Sequence, residues 1–522
     1  MKIGFANIYS FRPHVEHLYF LSLLLENNGH EVCYLTCDAD LSNCYPRMLK
    51  GTGKIKECSK CILGGIRSYS DKNISSLSAQ YRNECLTTNV KNILDELALS
   101  SSCTLTRTET DFELNNAEVV FFQKKLQQPI RKTYQASLNW IRDNELEAVI
   151  CFNGRMDMTR ALTYACETMK VPYITHERTW FGDGLLLTPN ANCLSLKSVG
   201  EMVSDFDNKP LTLEQARLAG KLIAERFLQK NVLEWRLYNK DPESITWPAN
   251  STEKKVLVLP SSRNEYTGHD DWISDWSDNT KALDDLFEVF SIRPEDVVVR
   301  FHPNWSENIG KISGDRATNL YTKWAKRKNI FFISSEDKAN TYDLIQQADI
   351  VVLNGGSSAV EAGACGKQVI CLGPANYDQS GFLRVFNNKK DMFRSNALIN
   401  LEPEIIIRKT LRFVYLSAKR LPQYVDYVKA LETIKYKYFD GGDPQRLIDI
   451  IVSGKVTPDD GTYAKNKNDE DLVVDLLKDR DWQSLIDCQL SKDLKTPLLR
   501  VKRRFGFRWI DDFRKKLALG DR

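Results

Sequence analysis

The sequence has no run approaching the roughly 18 apolar residues that a membrane-spanning helix needs. Its opening, Met1-Lys2-Ile3-Gly4-Phe5-Ala6-Asn7, lacks the long apolar stretch and small-residue cleavage site of a secretory signal and reads as a first β-strand. These two absences predict a cytoplasmic protein. No G-x-G-x-x-G follows that strand, which counts against a dinucleotide cofactor. Internal repeats and low-complexity segments are also missing.

What is present is an ordinary globular composition, 42% hydrophobic and 27% charged, over 522 residues. That length exceeds what one hydrophobic core usually fills, so two domains are expected. Thirteen cysteines fit the same compartment if most are reduced. Cys151, Cys166, Cys365 and Cys371 lie in apolar patterns and read as small core residues. The net charge of +3 conceals an asymmetry: Ser491–Arg522 holds eleven Lys/Arg against four Asp/Glu, so this tail is strongly basic and the remainder mildly acidic.

Strand and helix patterns alternate from the start. Lys2–Ala6, a helix at His17–Asn27 stopped by Gly29, and Glu31–Leu35 form the first unit. Residues 66–140 are polar and helical. Leu146–Phe152, the turn Asn153-Gly154-Arg155, a helix at Met156–Met169 and a strand at Val171–Thr175 follow, then a long helix at Leu213–Tyr238. Asp241–Glu253, with two prolines, reads as the interdomain linker. Beyond it, Lys255–Leu259, Asp296–Phe301, Ile330–Ile333, Ile350–Leu353 and Gln368–Leu372 are short Val/Ile-rich runs, with helices at Thr341–Gln347 and Ser357–Ala364. Such unbroken apolar strands belong to parallel sheets covered on both faces. The expected fold class is therefore α/β, with two Rossmann-like doubly wound domains facing a cleft and a basic helical C-terminal tail. The boundaries read as 1–240 with an insertion at about 37–140, then 254–440, then a helical extension at 441–522.

The most specific stretch is Asn354-Gly355-Gly356-Ser357-Ser358-Ala359-Val360-Glu361, a glycine-rich turn between strand and helix. Gly355 and Gly356 let a phosphate approach the backbone, Ser357 and Ser358 add hydroxyl donors, and Glu361 suits ribose hydroxyls. An ordinary strand–helix turn with a serine cap is the competing reading. Arg300 and His302, in Arg300-Phe301-His302-Pro303-Asn304, end another strand and carry donors for a leaving phosphate.

These two motifs, with Gly366-Lys367-Gln368-Val369-Ile370-Cys371-Leu372-Gly373 and Ser261-Ser262-Arg263-Asn264-Glu265, resemble the nucleotide-binding half of bacterial capsular and surface polysaccharide glycosyltransferases with the GT-B fold. The resemblance covers roughly Leu146–Phe382. It implies transfer of a sugar from a nucleotide-sugar donor, CMP- or UDP-linked, held by the second domain with His302, Ser357, Ser358 and Glu361 facing its phosphates and ribose; Arg300, Asn304, Gly355 and Gly356 are further donor-side candidates. It extends to Asn153-Gly154-Arg155 and His176-Glu177-Arg178, which would face the cleft from an acceptor-side first domain. The family often has Gly after its Glu-Arg pair, where this chain has Thr179. Inverting transfer needs a base for the acceptor hydroxyl. Glu177 is the first candidate, with Asp183 and Glu265 behind it and His14 and His17 further back. An ion pair of Glu177 with Arg178 or Arg155 is the structural alternative. The resemblance implies as acceptor a growing capsular or O-antigen-type glycan or its lipid-linked precursor, and no metal in catalysis. Asp38-Ala39-Asp40 has a metal-binding D-x-D form but reads as a polar loop. The alternatives are a nucleotide-sugar epimerase of similar fold and a non-catalytic glycan-assembly protein.

Cys37, Cys44, Cys58 and Cys61 supply the thiolate number of a tetrahedral structural zinc site, with reduced, unligated loop cysteines as the competing reading. In the tail, basic residues alternate with Phe505, Phe507, Trp509 and Phe513. This pattern suits a segment lying on the anionic inner face of a membrane. No nucleic-acid recognition motif accompanies the charge.

Overall fold

The computed structural model describes residues 1–231, 242–308, 312–395, 398, 401–488 and 497–517, with side chains to 513 in the last segment. Its strands are β1 (Lys2–Asn7), β2 (Glu31–Thr36), β3 (Ile74–Ser76), β4 (Ala148–Phe152), β5 (Tyr173–Arg178) and β6 (Leu185–Pro189) in a first sheet. The second sheet holds β7 (Val256–Leu259), β8 (Val297–Arg300), β9 (Phe331–Ile333), β10 (Ile350–Leu353), β11 (Gln368–Leu372) and β12 (Arg384–Phe386). Their orders are β3-β2-β1-β4-β5-β6 and β12-β11-β10-β7-β8-β9. Numbered from its own first strand, each sheet is 3-2-1-4-5-6 or its mirror listing 6-5-4-1-2-3, the doubly wound order. Every neighbouring pair is parallel except β5–β6, which runs antiparallel at an edge. The chain is thus a pair of Rossmann-like units. A hairpin, β13 (Val428–Glu432) and β14 (Lys435–Tyr438), stands apart from both sheets.

The strands are apolar throughout because they are covered on both faces, and successive residues divide between two layers. In β7, Val256 and Val258 join one core and Leu257 and Leu259 the other; in β10, Ile350 and Val352 divide from Val351 and Leu353 in the same way. In β1, Ile3 and Phe5 face one layer and Ala6 the other. Between them Gly4 lets the helix Ala117–Asp143 approach, since a Cβ there would stand 2.5 Å from the Trp140 ring.

Packing does not follow the linear order that the sequence suggested. The helices Lys197–Phe206 and Leu213–Phe227 lie before residue 240, yet Val203, Ala219 and Ile223 belong to the core around Val351 and Cys371 of the second sheet. Conversely, the helix Pro444–Ser453 places Leu447, Ile450 and Ile451 in the core of Ile3, Phe5 and Leu18 of the first sheet. The predicted helix through Tyr238 ends at Phe227 in the structure, and residues 232–241, with the start of the linker, lie outside the described residues. The described linker is bound to the second sheet's periphery: Thr252 N–H donates to Asp296 and Trp247 N–H to Gln347.

The Gly4 contact is testable. Gly4→Ala presses a methyl group into a rigid indole and is expected to cost about 1–3 kcal/mol, measured as a lowered urea midpoint with unchanged slope.

Candidate functional site

Ligands of doubly wound sheets bind where the strand order reverses, beyond the carboxyl ends of the first and fourth strands. In the first sheet this point lies between β1 and β4. After β4 the chain turns through two left-handed residues, Asn153 (φ 63°) and Gly154 (φ 71°). Asn153 holds the turn with its own amide: Oδ1 accepts Arg155 N–H at 3.0 Å and Met156 N–H at 3.3 Å. Its Nδ2 donates to Glu177 Oε2 at 3.1 Å. The second carboxylate oxygen accepts Arg178 N–H at 3.0 Å and lies 3.3 Å from His14 Nε2. Glu177 is thereby fixed at the end of β5 with its side chain 26% exposed.

Behind Glu177, His14, His17 and His176 form a buried triangle with ring centroids 5.8 to 6.3 Å apart. Burial pushes His176 down to about 3, and it holds His14 and His17 well below the ordinary imidazole range; His14 adds to this at His176, Arg178 at His14, and His14, His176 and Arg178 at His17. Neither ring nitrogen of His176 has a hydrogen-bond partner among the described residues. Tyr438 and His17 Nδ1 lie 3.0 Å apart, tying the hairpin to this cluster. Arg178 donates to Thr433 O at 2.9 Å. Asp183 accepts Ala430 N–H at 2.9 Å and Lys429 Nζ at 3.1 Å. Asp183, the second candidate base, thereby ties the hairpin to the loop after β5. Thr179 closes the intervening loop by donating to Asp183 O at 2.9 Å.

In the second sheet the reversal lies between β7 and β10. Asn354 bridges it: its Oδ1 accepts Ser261 N–H at 2.9 Å and its Nδ2 donates to Ser261 O at 3.1 Å. Gly355 adopts φ 88°, and its carbonyl accepts Tyr266 O–H at 3.0 Å. Ser357 is exposed, and Ser358 opens the seven-residue helix Ser358–Ala364. Two donor-side candidates have partners within the protein. Glu361 is buried in an ion pair with Arg226 of the 213–227 helix, and Arg226 also donates to Ser357 Oγ at 3.3 Å. This carboxylate supports the turn from beneath. Arg300 is likewise buried and donates to the carbonyls of Ser334 and Asp337, so its guanidinium braces the β9 side. His302 Nδ1 accepts Asn304 N–H at 3.1 Å. In a neutral ring this leaves the proton on Nε2. Trp305, in the same turn, donates to Ser262 Oγ at 2.8 Å and so joins this turn to the loop after β7.

The two reversal points meet through that loop. Arg155 Nη1 donates to Ser100 Oγ at 2.8 Å and to Thr267 O at 3.3 Å, and Asn192 Nδ2 donates to Gly268 O at 3.0 Å. Glu109, from the insertion, accepts Arg263 N–H at 2.9 Å and Asn264 Nδ2 at 3.0 Å. Arg107 donates to Asn304 Oδ1 at 3.3 Å. Glu265 is exposed in this loop. The sequence patterns do not mark Arg107, Glu109, Arg226 or the hairpin. Each is remote in sequence from what it touches, and no motif accompanies it.

Among the described residues the cysteines do not build a metal cage, and no three His, Cys, Asp or Glu side chains are placed to hold a metal ion. Cys37 and Cys44 pack against the core of the first sheet, and burial pushes the Cys37 thiol up to about 12. Cys61 Sγ lies 3.4 Å from Ser10 Oγ. Asp38 accepts Ser78 N–H at 3.4 Å, and Asp40 pairs with Lys132.

No family model and no curated protein matches the chain. Among solved structures it is similar to a KpsC β-Kdo 2,4-transferase from Thermosulfurimonas dismutans, at 14% identity over 59% of this chain and 87% of that one, with a TM-score of 0.32. It is also similar to a UDP-GlcNAc 2-epimerase from Neisseria meningitidis, at 11% identity over 87% and 100% of the two chains and a TM-score of 0.29. A third is MurG from Acinetobacter baumannii, at 10% identity over 87% and 100% and a TM-score of 0.27. Likenesses this loose assign neither family nor activity, and the doubly wound description rests on the strand orders themselves.

Two outcomes follow from these buried charges. The unfolded chain takes up protons at its histidines below about 6.5 while the folded triangle stays neutral, so stability is full above that pH and falls as pH falls. Each histidine contributes up to about 1.4 kcal/mol per pH unit, and urea midpoints across pH should show a shallower fall for His176→Gln. Arg226→Leu strands Glu361 and is expected to cost about 3–5 kcal/mol, much of it recovered in Arg226→Leu/Glu361→Leu, as a double-mutant cycle would show.

Proposed function

We propose that the chain is a glycosyltransferase that moves a sugar from a nucleotide donor to a hydroxyl of a surface-type glycan. The observation that carries this reading is the apposition of the two reversal points: a glycine turn with two serines on one sheet, an oriented carboxylate on the other, and the loop after β7 bonded to Arg155 through Thr267 and to the Gly355 carbonyl through Tyr266. The donor's phosphates, UDP- or CMP-linked, lie against Gly355–Ser358, with the serine hydroxyls and His302 Nε2–H as donors. The acceptor enters from the side of Asn153, Arg155 and Arg178. Glu177 takes the proton of its hydroxyl as the new bond to the anomeric carbon forms and the bond to the phosphate oxygen breaks, the electron pair leaving with the nucleotide. Hydrogen bonds fixed in advance at the phosphate turn stabilise the charge that develops there. A base so placed contributes about 10²–10⁴ in rate. The acceptor class, an O-antigen or capsular glycan or its lipid-linked precursor, rests on the sequence resemblance.

Calorimetric titration with UDP and CMP tests the donor half. Ser357→Ala/Ser358→Ala should weaken binding roughly tenfold, the cost of about 1.4 kcal/mol of lost hydrogen bonding, with little change in melting temperature because Ser357 is exposed. Unchanged affinity would remove the phosphate site. Glu177→Gln should keep nucleotide affinity and lose about 10²–10⁴ in transfer. Turnover of donor alone, without acceptor, would point to an epimerase.

A further inference from the structure

We infer that the C-terminal segment is a docked membrane anchor, built to seat the first domain on an anionic bilayer through one aromatic face. The segment is not a loose tail. Arg503 is buried against the first domain and donates to Ser68 Oγ at 3.0 Å and to the Leu63 carbonyl. Arg504 N–H donates to Ser68 O at 2.7 Å, and its guanidinium pairs with Asp71 at 2.8 Å. The helix Arg508–Leu517 is held by Asp511, which accepts from Arg12 at 2.7 Å and Arg503 at 3.1 Å.

That attachment fixes which face looks outward. At 3.6 residues per turn, Trp509 and Phe513 share one side, and Asp511 lies about half a turn from both. With Asp511 bound to the body, the two rings point to solvent: Trp509 is 58% and Phe513 54% exposed, and Phe505 in the preceding turn is 86% exposed. Three large aromatics held outward by a buried arginine are costly in water unless something covers them. Next to the anchor, the helix Lys54–Gly64, whose Leu63 carbonyl receives Arg503, also exposes Ile62 and Leu63.

Charge identifies the occupant. Arg508 lies over the Phe505 ring, 5.9 Å from its centroid, Arg500 and Lys502 are exposed in the same segment, and Lys54, Lys56 and Lys60 are exposed on the neighbouring helix. Aromatic rings ringed by lysine and arginine match the boundary of an anionic bilayer, where rings enter the headgroup region and cations meet lipid phosphates. Arg12 stands two residues before His14, whose Nε2 lies 3.3 Å from Glu177, so the anchored helix is bonded to the segment that enters the site. A bilayer on this face therefore brings a lipid-linked acceptor beside that carboxylate; this last step, unlike the docking, rests on the glycosyl-transfer reading.

Co-sedimentation of the full chain with phosphatidylcholine vesicles, with and without phosphatidylglycerol, tests the docking. The expected result is at least about tenfold stronger partitioning onto anionic vesicles, weakened by added salt. Phe505→Ser/Trp509→Ser/Phe513→Ser should lose at least about tenfold of it, with circular dichroism and melting temperature unchanged. Equal partitioning onto both vesicle types, or a triple variant that binds as well as the parent, overturns the inference. So does a parent that ignores vesicles but forms dimers which the triple variant abolishes, since the stripe is then a subunit interface. Nucleotide titration of the parent keeps the two readings apart: vesicle binding without nucleotide binding defeats the transfer reading alone.

Discussion

A buried polar seam sets the relation between the two sheets. Glu109, from the first unit's insertion, takes N–H bonds from Arg263 and Asn264 of the second, while Arg155 donates to the Thr267 carbonyl. Groups buried this way hold their partners only while the units stay apposed, and a buried polar group left without a partner costs about 1–3 kcal/mol. Burial also pushes the Glu109 carboxyl up to about 8, so near neutral pH it retains a proton that exposure to water would release.

The seam also decides which loops can act together. The segment after β7 leaves the second sheet, crosses to Ser100, Arg155 and Asn192, and passes Tyr266 back against the Gly355 carbonyl. One loop therefore holds the glycine turn from above and the first unit's turn from below. Arg226 and Glu361 support the glycine turn from the opposite side, as a neutral pair beneath an exposed serine. The carboxylate of Glu177 is held by a different device, an asparagine amide and a backbone N–H on neighbouring strand ends.

Much of this architecture is legible in the amino-acid sequence. Runs such as Ile350–Leu353, Gln368–Leu372 and Thr341–Gln347 have the bounds that periodicity and composition predict, because buried parallel strands and their helices carry strong local signals. The weakly signalled elements are those whose stability is borrowed. β3 and β12 are three residues each, and β6 exists because β5 offers it an antiparallel edge. Strand ends bearing Asn153, Glu177 and Asn354 can be located from sequence, since a residue at a strand's carboxyl end faces the crevice in any doubly wound sheet. Partner choice cannot: Arg300 and Glu361 have the right position for a ligand, yet Ser334, Asp337 and Arg226 claim them through contacts that no local pattern encodes.

The exchange of helices between the units bears on how the molecule is made. A ribosome that has delivered residues 1–227 has supplied two helices whose apolar faces belong to a sheet not yet synthesised. The first sheet in turn waits for Leu447, Ile450 and Ile451 before its own layer is covered. Each half thus completes its core with helices delivered by the other, and the nascent chain carries uncovered apolar surface until the helix Pro444–Ser453 has emerged.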